Sequence, residues 1–196
     1  IRTGYMLSAG NLSNAGTLTS TTGATATFIG IRNSSTGPLS ITGNTFRGLN
    51  IGGTVTAHSA IINSGAVTTS NTIDGNFLGT AGLDWMRYAF ANSGALIGIS
   101  AGTTTTAAAT LSISNNTYRG LTYSVNGTGS NTYLTFGHAT STTSTINGNQ
   151  WLNMSVATTG TITFMTRSGN MTATGVCKFI NNSVVTGFTK AAANGT

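Results

Sequence analysis

The chain has very few acidic residues, one cysteine, one proline and little charge of either sign. Its 196 residues include only two acids, Asp74 and Asp84, and charged side chains make up 5% of the total, against about 25% in an ordinary globular protein. The single cysteine, Cys177, excludes an internal disulfide and a metal site built from several cysteines. No apolar run reaches the roughly 18 residues of a membrane-spanning helix. We therefore expect no membrane span.

The basic residues are spread along the chain. Eight Lys and Arg residues give a net charge of +6, and the pI is high mainly because acids are scarce. A nucleic-acid site needs several phosphate contacts close together, and no run of basic residues provides them. We therefore expect no nucleic-acid partner.

Small polar residues replace the missing charge. The chain contains 40 Thr, 20 Ser, 20 Asn and 27 Gly. Thr favours strands, while Gly and Asn supply turns and left-handed backbone positions. Little helix-forming material remains. This composition predicts an all-β protein that is extracellular or at the cell surface.

A motif of an apolar residue followed three places later by Asn recurs five times, and another apolar residue stands two places after each Asn. The Asn residues are separated by 32, 40, 33 and 33 residues. A nearly fixed period in this range is typical of a solenoid, whose units bury their apolar faces against each other. The asparagines are Asn44, Asn76, Asn116, Asn149 and Asn182, and the apolar residues before them are Ile41, Ile73, Ile113, Ile146 and Phe179.

The repeat predicts a right-handed parallel β-helix with about five to six coils of roughly 33 residues and three short strands per coil. The strands would be the Asn motif, a second apolar segment and a third segment rich in Thr and Ser. Equivalent Asn side chains would stack as an interior ladder; alternatively, they are turn residues with a left-handed backbone. We expect a single domain over 1–196, part of a longer repeat array, with a degenerate coil or cap at 1–27 and an insertion at 80–95.

These repeats resemble those of large secreted and cell-surface proteins of Bacteroidota. The resemblance rests on segments such as Ile113-Ser-Asn-Asn-Thr-Tyr118, Ile41-Thr-Gly-Asn-Thr-Phe46 and Ile97-Gly-Ile99. It covers most of 28–188 and is one of repeat style. It implies a right-handed parallel β-helix, an adhesin or filament role and export by type IX secretion.

The insertion supplies the first candidate binding site. Trp85, Arg87 and Tyr88 are residue types that dominate binding hot spots and sugar-stacking platforms. They would bind glycans or a cell surface. The alternative is a coil strand in which the Trp85 and Tyr88 rings pack inward.

The Thr-rich segments supply the second candidate. A flat array of Thr-x-Thr on one face would favour ice binding, and the residues concerned are Thr104, Thr106, Thr140, Thr142, Thr172 and Thr174. The spacing is irregular elsewhere in the chain. The alternative is that Thr suits a solvent-facing strand and binds nothing.

A carbohydrate-active enzyme is a further alternative, by analogy with other parallel β-helices. Glycoside hydrolysis normally needs two carboxylates at a fixed separation, and only Asp74 and Asp84 are available. His58 and His138 fall at different places in the repeat, so a metal site is not expected. We predict no catalytic residues, no metal and no cofactor.

The function predicted from the sequence is that of a non-catalytic structural β-solenoid in an adhesin, stalk or filament. Open ends of such a solenoid can template further strands. Self-association, or continuation of the same repeat array, is therefore the expected partnership.

Overall fold

The computed structural model describes residues 6–9, 12–13, 16–18, 27–52, 56–103, 109–138, 143–168 and 173–191. Within these ranges the chain forms 21 strands and no helix. The strands, numbered in chain order, pair in parallel throughout and build three sheets. Parallel neighbours need a crossover connection, which each coil supplies by passing through the other two sheets.

Sheet A has six strands in chain order. Alternate residues point inward, so that Leu39 and Ile41 are buried while Ser40 and Thr42 are partly exposed. Period-2 burial of this kind is what one buried sheet face requires. The strands are β1 (Met6–Ala9), β5 (Leu39–Thr42), β9 (Ser70–Asp74), β13 (Thr110–Ser114), β17 (Thr143–Asn147) and β20 (Val176–Ile180).

Sheet B follows the motif asparagine and is bent within each coil. In most coils the bend divides it into two short strands, whereas in the last two coils one strand continues through it. The strands are β2 (Leu12–Ser13), β3 (Gly16–Leu18), β6 (Thr45–Phe46), β7 (Leu49–Ile51), β10 (Phe77–Leu78), β11 (Met86–Tyr88), β14 (Thr117–Arg119), β15 (Leu121–Tyr123), β18 (Gln150–Val156) and β21 (Ser183–Lys190).

Sheet C closes each coil with a longer strand. Its inner face places Ile61, Ile99 and Leu134 in one register column, all of them buried. The strands are β4 (Thr27–Asn33), β8 (Ala57–Asn63), β12 (Ala95–Thr103), β16 (Asn131–His138) and β19 (Ile162–Arg167).

Each circuit of about 33 residues runs from sheet A to sheet B to sheet C and back, and the chain makes four complete turns between Asn44 and Asn182. The apolar residues of all three sheets meet in one continuous core. The expected all-β parallel β-solenoid is confirmed.

The third strand of the coil differs from the sequence prediction. The Thr-rich strand was predicted at 67–70, but 64–69 form a turn between sheets C and A, and only Ser70 belongs to a strand, β9. The additional strands are β7, β11 and β15, which follow the bend in sheet B. They are only three residues long, too short for a clear period-2 pattern, whereas the β-propensity of Thr made the turn resemble a strand.

The longest repeat also differs in detail from the expected insertion at 80–95. Leu49 lies three residues after Phe46, but Met86 lies eight residues after Leu78, although both pairs occupy the same register. Five extra residues therefore lie between β10 and β11. Residues 86–88 form a strand that pairs with β7 and β15 in ordinary register.

The segment 1–27, expected to be degenerate, follows the path of the later coils where the structure describes it. Strands β1, β2 and β3 pair in register with β5, β6 and β7. The rest of the segment before Thr27 lies outside the described residues.

Candidate functional site

The five motif asparagines form one hydrogen-bonded ladder along the inside of the solenoid. At each step the backbone N–H and the side-chain Nδ2–H of one Asn donate to Oδ1 of the Asn in the next coil, at 2.9–3.1 Å. From Asn76 onward, Nδ2 also donates to an Ile carbonyl of the preceding coil at 2.8–3.0 Å. The first four side chains are fully buried. The ladder is an internal support and presents nothing to a ligand.

The left-handed turn lies one residue before each ladder asparagine. Positive φ values of 52–65° occur at this position in all five coils. Only Gly and Asn occupy it, because other side chains pay a steric penalty in this conformation. The residues are Gly43, Gly75, Asn115, Gly148 and Asn181.

The apolar column of sheet A is aligned in register from coil to coil. Its first four members are completely buried, and Phe179 is 54% exposed because β20 is the outermost strand of the sheet. The column consists of Ile41, Ile73, Ile113, Ile146 and Phe179.

The structure separates the three predicted binding residues. Trp85 and Tyr88 are 1% and 0% exposed. The Trp85 ring packs edge-on against Tyr118, with centroids 6.3 Å apart. These two rings cannot stack on an external ligand, which corrects the expectation of an aromatic platform. Arg87 alone is exposed, and its Nε donates to Ser124 Oγ at 2.8 Å.

The predicted Thr face lies almost entirely outside the described residues. Thr104, Thr106, Thr140, Thr142 and Thr172 are among the residues that the structure does not describe. Thr174 is exposed in a turn rather than on a strand.

The two acids belong to different parts of the coil. Asp74 ends β9 in sheet A and accepts a hydrogen bond from Asn115 Nδ2 at 3.0 Å. Asp84 lies in the loop between β10 and β11, and its side chain lies over Gly120. One carboxylate thus stands at the end of a sheet A strand and the other in a loop along the path of sheet B.

His58 lies in the core as part of a buried polar network. Its Nδ1 is 2.8 Å from the hydroxyl oxygen of Tyr88. Tyr123 packs against Tyr88 and donates to Asn131 Oδ1 at 2.9 Å. Burial lowers the pKa of His58 to about 4 because the charged imidazolium would lose its hydration.

No metal-binding cluster of His, Cys, Asp or Glu occurs among the described residues. Cys177 is half-buried, and burial raises the pKa of its thiol. A raised pKa disfavours the reactive thiolate.

A groove lies on the outer face of sheet B, beside the five-residue insertion. It has a volume of about 420 Å³. One wall is β7, the other is the loop 81–84, and Met86 and Arg87 of β11 complete it. The lining residues are Gly48, Leu49, Asn50, Ala81, Gly82, Leu83, Asp84, Met86 and Arg87.

Hydrogen bonds hold the loop in place over β7. Thr80 N–H donates to the Leu83 carbonyl at 2.8 Å, and Leu83 N–H donates to Thr80 Oγ1 at 3.2 Å. Gly48 N–H donates to the Asp84 carbonyl at 2.6 Å. The groove is therefore formed before any ligand binds.

The groove includes residues that sequence reasoning missed. Asn50 and Leu83 are 33 positions apart and carry no motif. Nothing in the sequence marked them, because Asn50 and Arg87 are register partners yet lie 37 positions apart, which matches none of the intervals between the motif asparagines.

The fold and groove define this chain as a parallel β-solenoid with a side groove. It matches no protein-family model, no curated protein and no solved structure. The described part of the chain also contains no helix long and apolar enough to cross a membrane. Function is therefore argued from the geometry of the solenoid itself.

Proposed function

We propose that this chain is a non-catalytic structural segment of an extracellular adhesin, stalk or filament. Its solenoid would have about five to six coils. It would be right-handed, because connections between parallel strands are right-handed in about 98% of cases. The resemblance of its repeats to those of secreted surface proteins supports the same class. A ladder and a continuous core give the stiffness that a stalk needs.

The observation that carries this proposal is the uncovered apolar end of the solenoid. Phe179 and Val184 are 54% and 50% exposed, whereas their register partners in the preceding coil, Ile146 and Trp151, are buried. Three further apolar side chains of the final coil are 42–47% exposed. Exposed apolar side chains grouped in this way mark an association surface. The group consists of Val176, Phe179, Ile180, Val184 and Val185.

The backbone at this end is also ready to pair. Strands β20, β21 and β19 are the outermost strands of their sheets, and an open edge is a template for another strand. Asn182 ends the ladder. Its backbone N–H, which at each earlier step donates to the next Asn, has no acceptor among the described residues.

Either the first coil of a second copy of this chain or the next coil of a longer repeat array fits this end. Strands β1, β2 with β3, and β4 are the outermost strands at the other end of the three sheets. All pairings are parallel, so stacking head to tail continues the same geometry. Only 5% of residues are charged, which leaves little repulsion to oppose stacking.

The test is the change of oligomeric state with protein concentration. We expect head-to-tail oligomers in sedimentation velocity, and thin rods by electron microscopy with an axial repeat of about 4.8 Å per coil. The substitution Phe179→Asp places a charge on the apolar end and should abolish association.

The matched control is Phe90→Asp, which changes a Phe of similar exposure (55%, against 54% for Phe179) outside the terminal coil. It should leave association unchanged. A chain that stays monomeric at all concentrations, or that loses association through Phe90 rather than Phe179, contradicts the head-to-tail proposal.

A further inference from the structure

We propose that the groove between β7 and the loop 81–84 is a binding site for a neutral saccharide of one or two rings. The inference deepens the proposed adhesin role and rests on it only for its biological meaning. The groove itself is built from the five-residue insertion, which no other described coil contains.

The first support is an unsatisfied acceptor at the base of the groove. Asn50 lines it, and its Oδ1 atom is buried without a hydrogen-bond partner among the described residues. A buried polar atom left unpaired costs free energy. Oδ1 has almost no exposed surface, so a ligand hydroxyl donates to it after the Asn50 side chain turns toward the groove, and this bond removes the cost.

The second support is the pairing of an acceptor with a donor. Arg87 stands next to Asn50 in the register of sheet B and also lines the groove. Its guanidinium can only donate hydrogen bonds, whereas an amide oxygen can only accept them. A sugar hydroxyl does both, so one ring with neighbouring hydroxyls satisfies both side chains.

The third support is the apolar part of the lining. Leu83 is 37% exposed on the loop, whereas Leu49 and Met86 border the groove but are only 8% and 1% exposed. Leu83 therefore offers the apolar surface for the C–H face of a sugar ring. The volume of about 420 Å³ falls at the lower end of the range for small-molecule sites.

Charge selects a neutral ligand over an anion. Arg87 and Asp84 are both exposed at the groove and have opposite signs. Their formal charges cancel, so a phosphate or a carboxylated sugar gains little there.

The experiment is a titration of the ¹⁵N-labelled chain with cellobiose, lactose and N,N′-diacetylchitobiose, followed by amide and Arg Nε–H resonances. We expect shifts confined to 48–50 and 80–87, with a dissociation constant in the range of about 1 mM. Asn50→Ala and Arg87→Gln should each weaken binding by about tenfold or more.

Arg32→Gln is the matched control. Arg32 Nε donates to Ser64 Oγ at 3.5 Å, as Arg87 Nε does to Ser124, but Arg32 does not line the groove. Its binding should equal that of the unaltered chain. Unchanged amide shifts at the Asn ladder show that each variant is folded.

Two results overturn the saccharide site: no shifts in the groove with any of the three sugars, or binding that persists in both Asn50→Ala and Arg87→Gln. Shifts produced by sulfate but not by the sugars also overturn it, since they define an anion site. None of these results changes the sedimentation test, so failure of the groove and failure of the structural role are distinguishable.

Discussion

At the scale of single residues, the inner ladder asparagines are each held by several buried hydrogen bonds. Asn116 Oδ1 accepts two bonds from Asn76, and its Nδ2 donates to Ile73 and to Asn149. All of these atoms lie in the core, where an unpaired group cannot turn to water.

We expect Asn116→Ala to lower the free energy of unfolding by at least about 3 kcal/mol, because it leaves several buried groups without partners. Urea unfolding followed by circular dichroism measures the change. Asn126→Ala is the control, since Asn126 is exposed and should lose less than about 0.5 kcal/mol. Equal losses in the two variants would show that the ladder does not stabilise the fold.

His58 gives stability a dependence on acid pH. Its folded pKa is about 4, whereas an unfolded His titrates near 6.5. As the pH falls from about 6.5 to about 4, His58 becomes protonated in the unfolded state but stays neutral in the folded state. The free energy of unfolding should therefore fall by roughly 3 kcal/mol between about pH 6.5 and pH 4.

Urea unfolding of the unaltered chain and of His58→Gln, across this pH range, tests the prediction. Gln can still form a hydrogen bond with the Tyr88 hydroxyl but does not titrate, so the stability of this variant should vary much less with pH. If both proteins show the same slope, the slope arises from other groups.

At the scale of strands and turns, the bend in sheet B depends on left-handed residues in matching positions. Gly48, Gly120, Asn153 and Gly187 have φ values of 45–69°. Each places the chain so that the next inward residue enters the core. Two residues, 47–48, join the halves of the sheet between β6 and β7, and Gly120 alone joins β14 to β15. The connection is longer only where the loop 80–84 is inserted.

Gly120→Ala should destabilise the fold by about 2 kcal/mol, since a Cβ at φ +69° is strained. That Cβ would also clash with the carboxylate of Asp84. Gly82→Ala is the control in the adjoining loop, because its Cβ would meet nothing within 4 Å. Thermal unfolding of both variants measures the difference, and equal melting temperatures would count against the strained bend.

At the scale of the whole molecule, stability comes from the stacking of equivalent positions in successive coils. Each coil contacts only its neighbours, as in other solenoids, and the apolar columns continue from one coil to the next. Each inner coil is buried by a neighbour on both sides, whereas the last coil has a neighbour on one side only among the described residues. For this reason the substitution that tests association is made at Phe179, on the last coil, and not on the lateral surface.

The sequence predicted the solenoid because every coil repeats the same motif. The apolar residue, the left-handed Gly or Asn and the ladder Asn recur at nearly constant spacing, and register pairing then brings Ile73 onto Ile113 and Asn76 onto Asn116. Local chemistry and tertiary contacts agree at these positions.

The sequence by itself therefore determined the all-β class, the period and the apolar columns, because each depends on one repeated unit. It left open whether the asparagines form a ladder or occupy the left-handed turn, and the structure places the turn one residue earlier and the asparagines in a ladder. Only the tertiary structure decided that Trp85 and Tyr88 face the core and that Arg87 faces solvent. It also formed the groove, because Asn50 and Leu83 belong to different coils and meet only when those coils stack. A pattern read along the chain cannot specify which side chains neighbouring coils bring together.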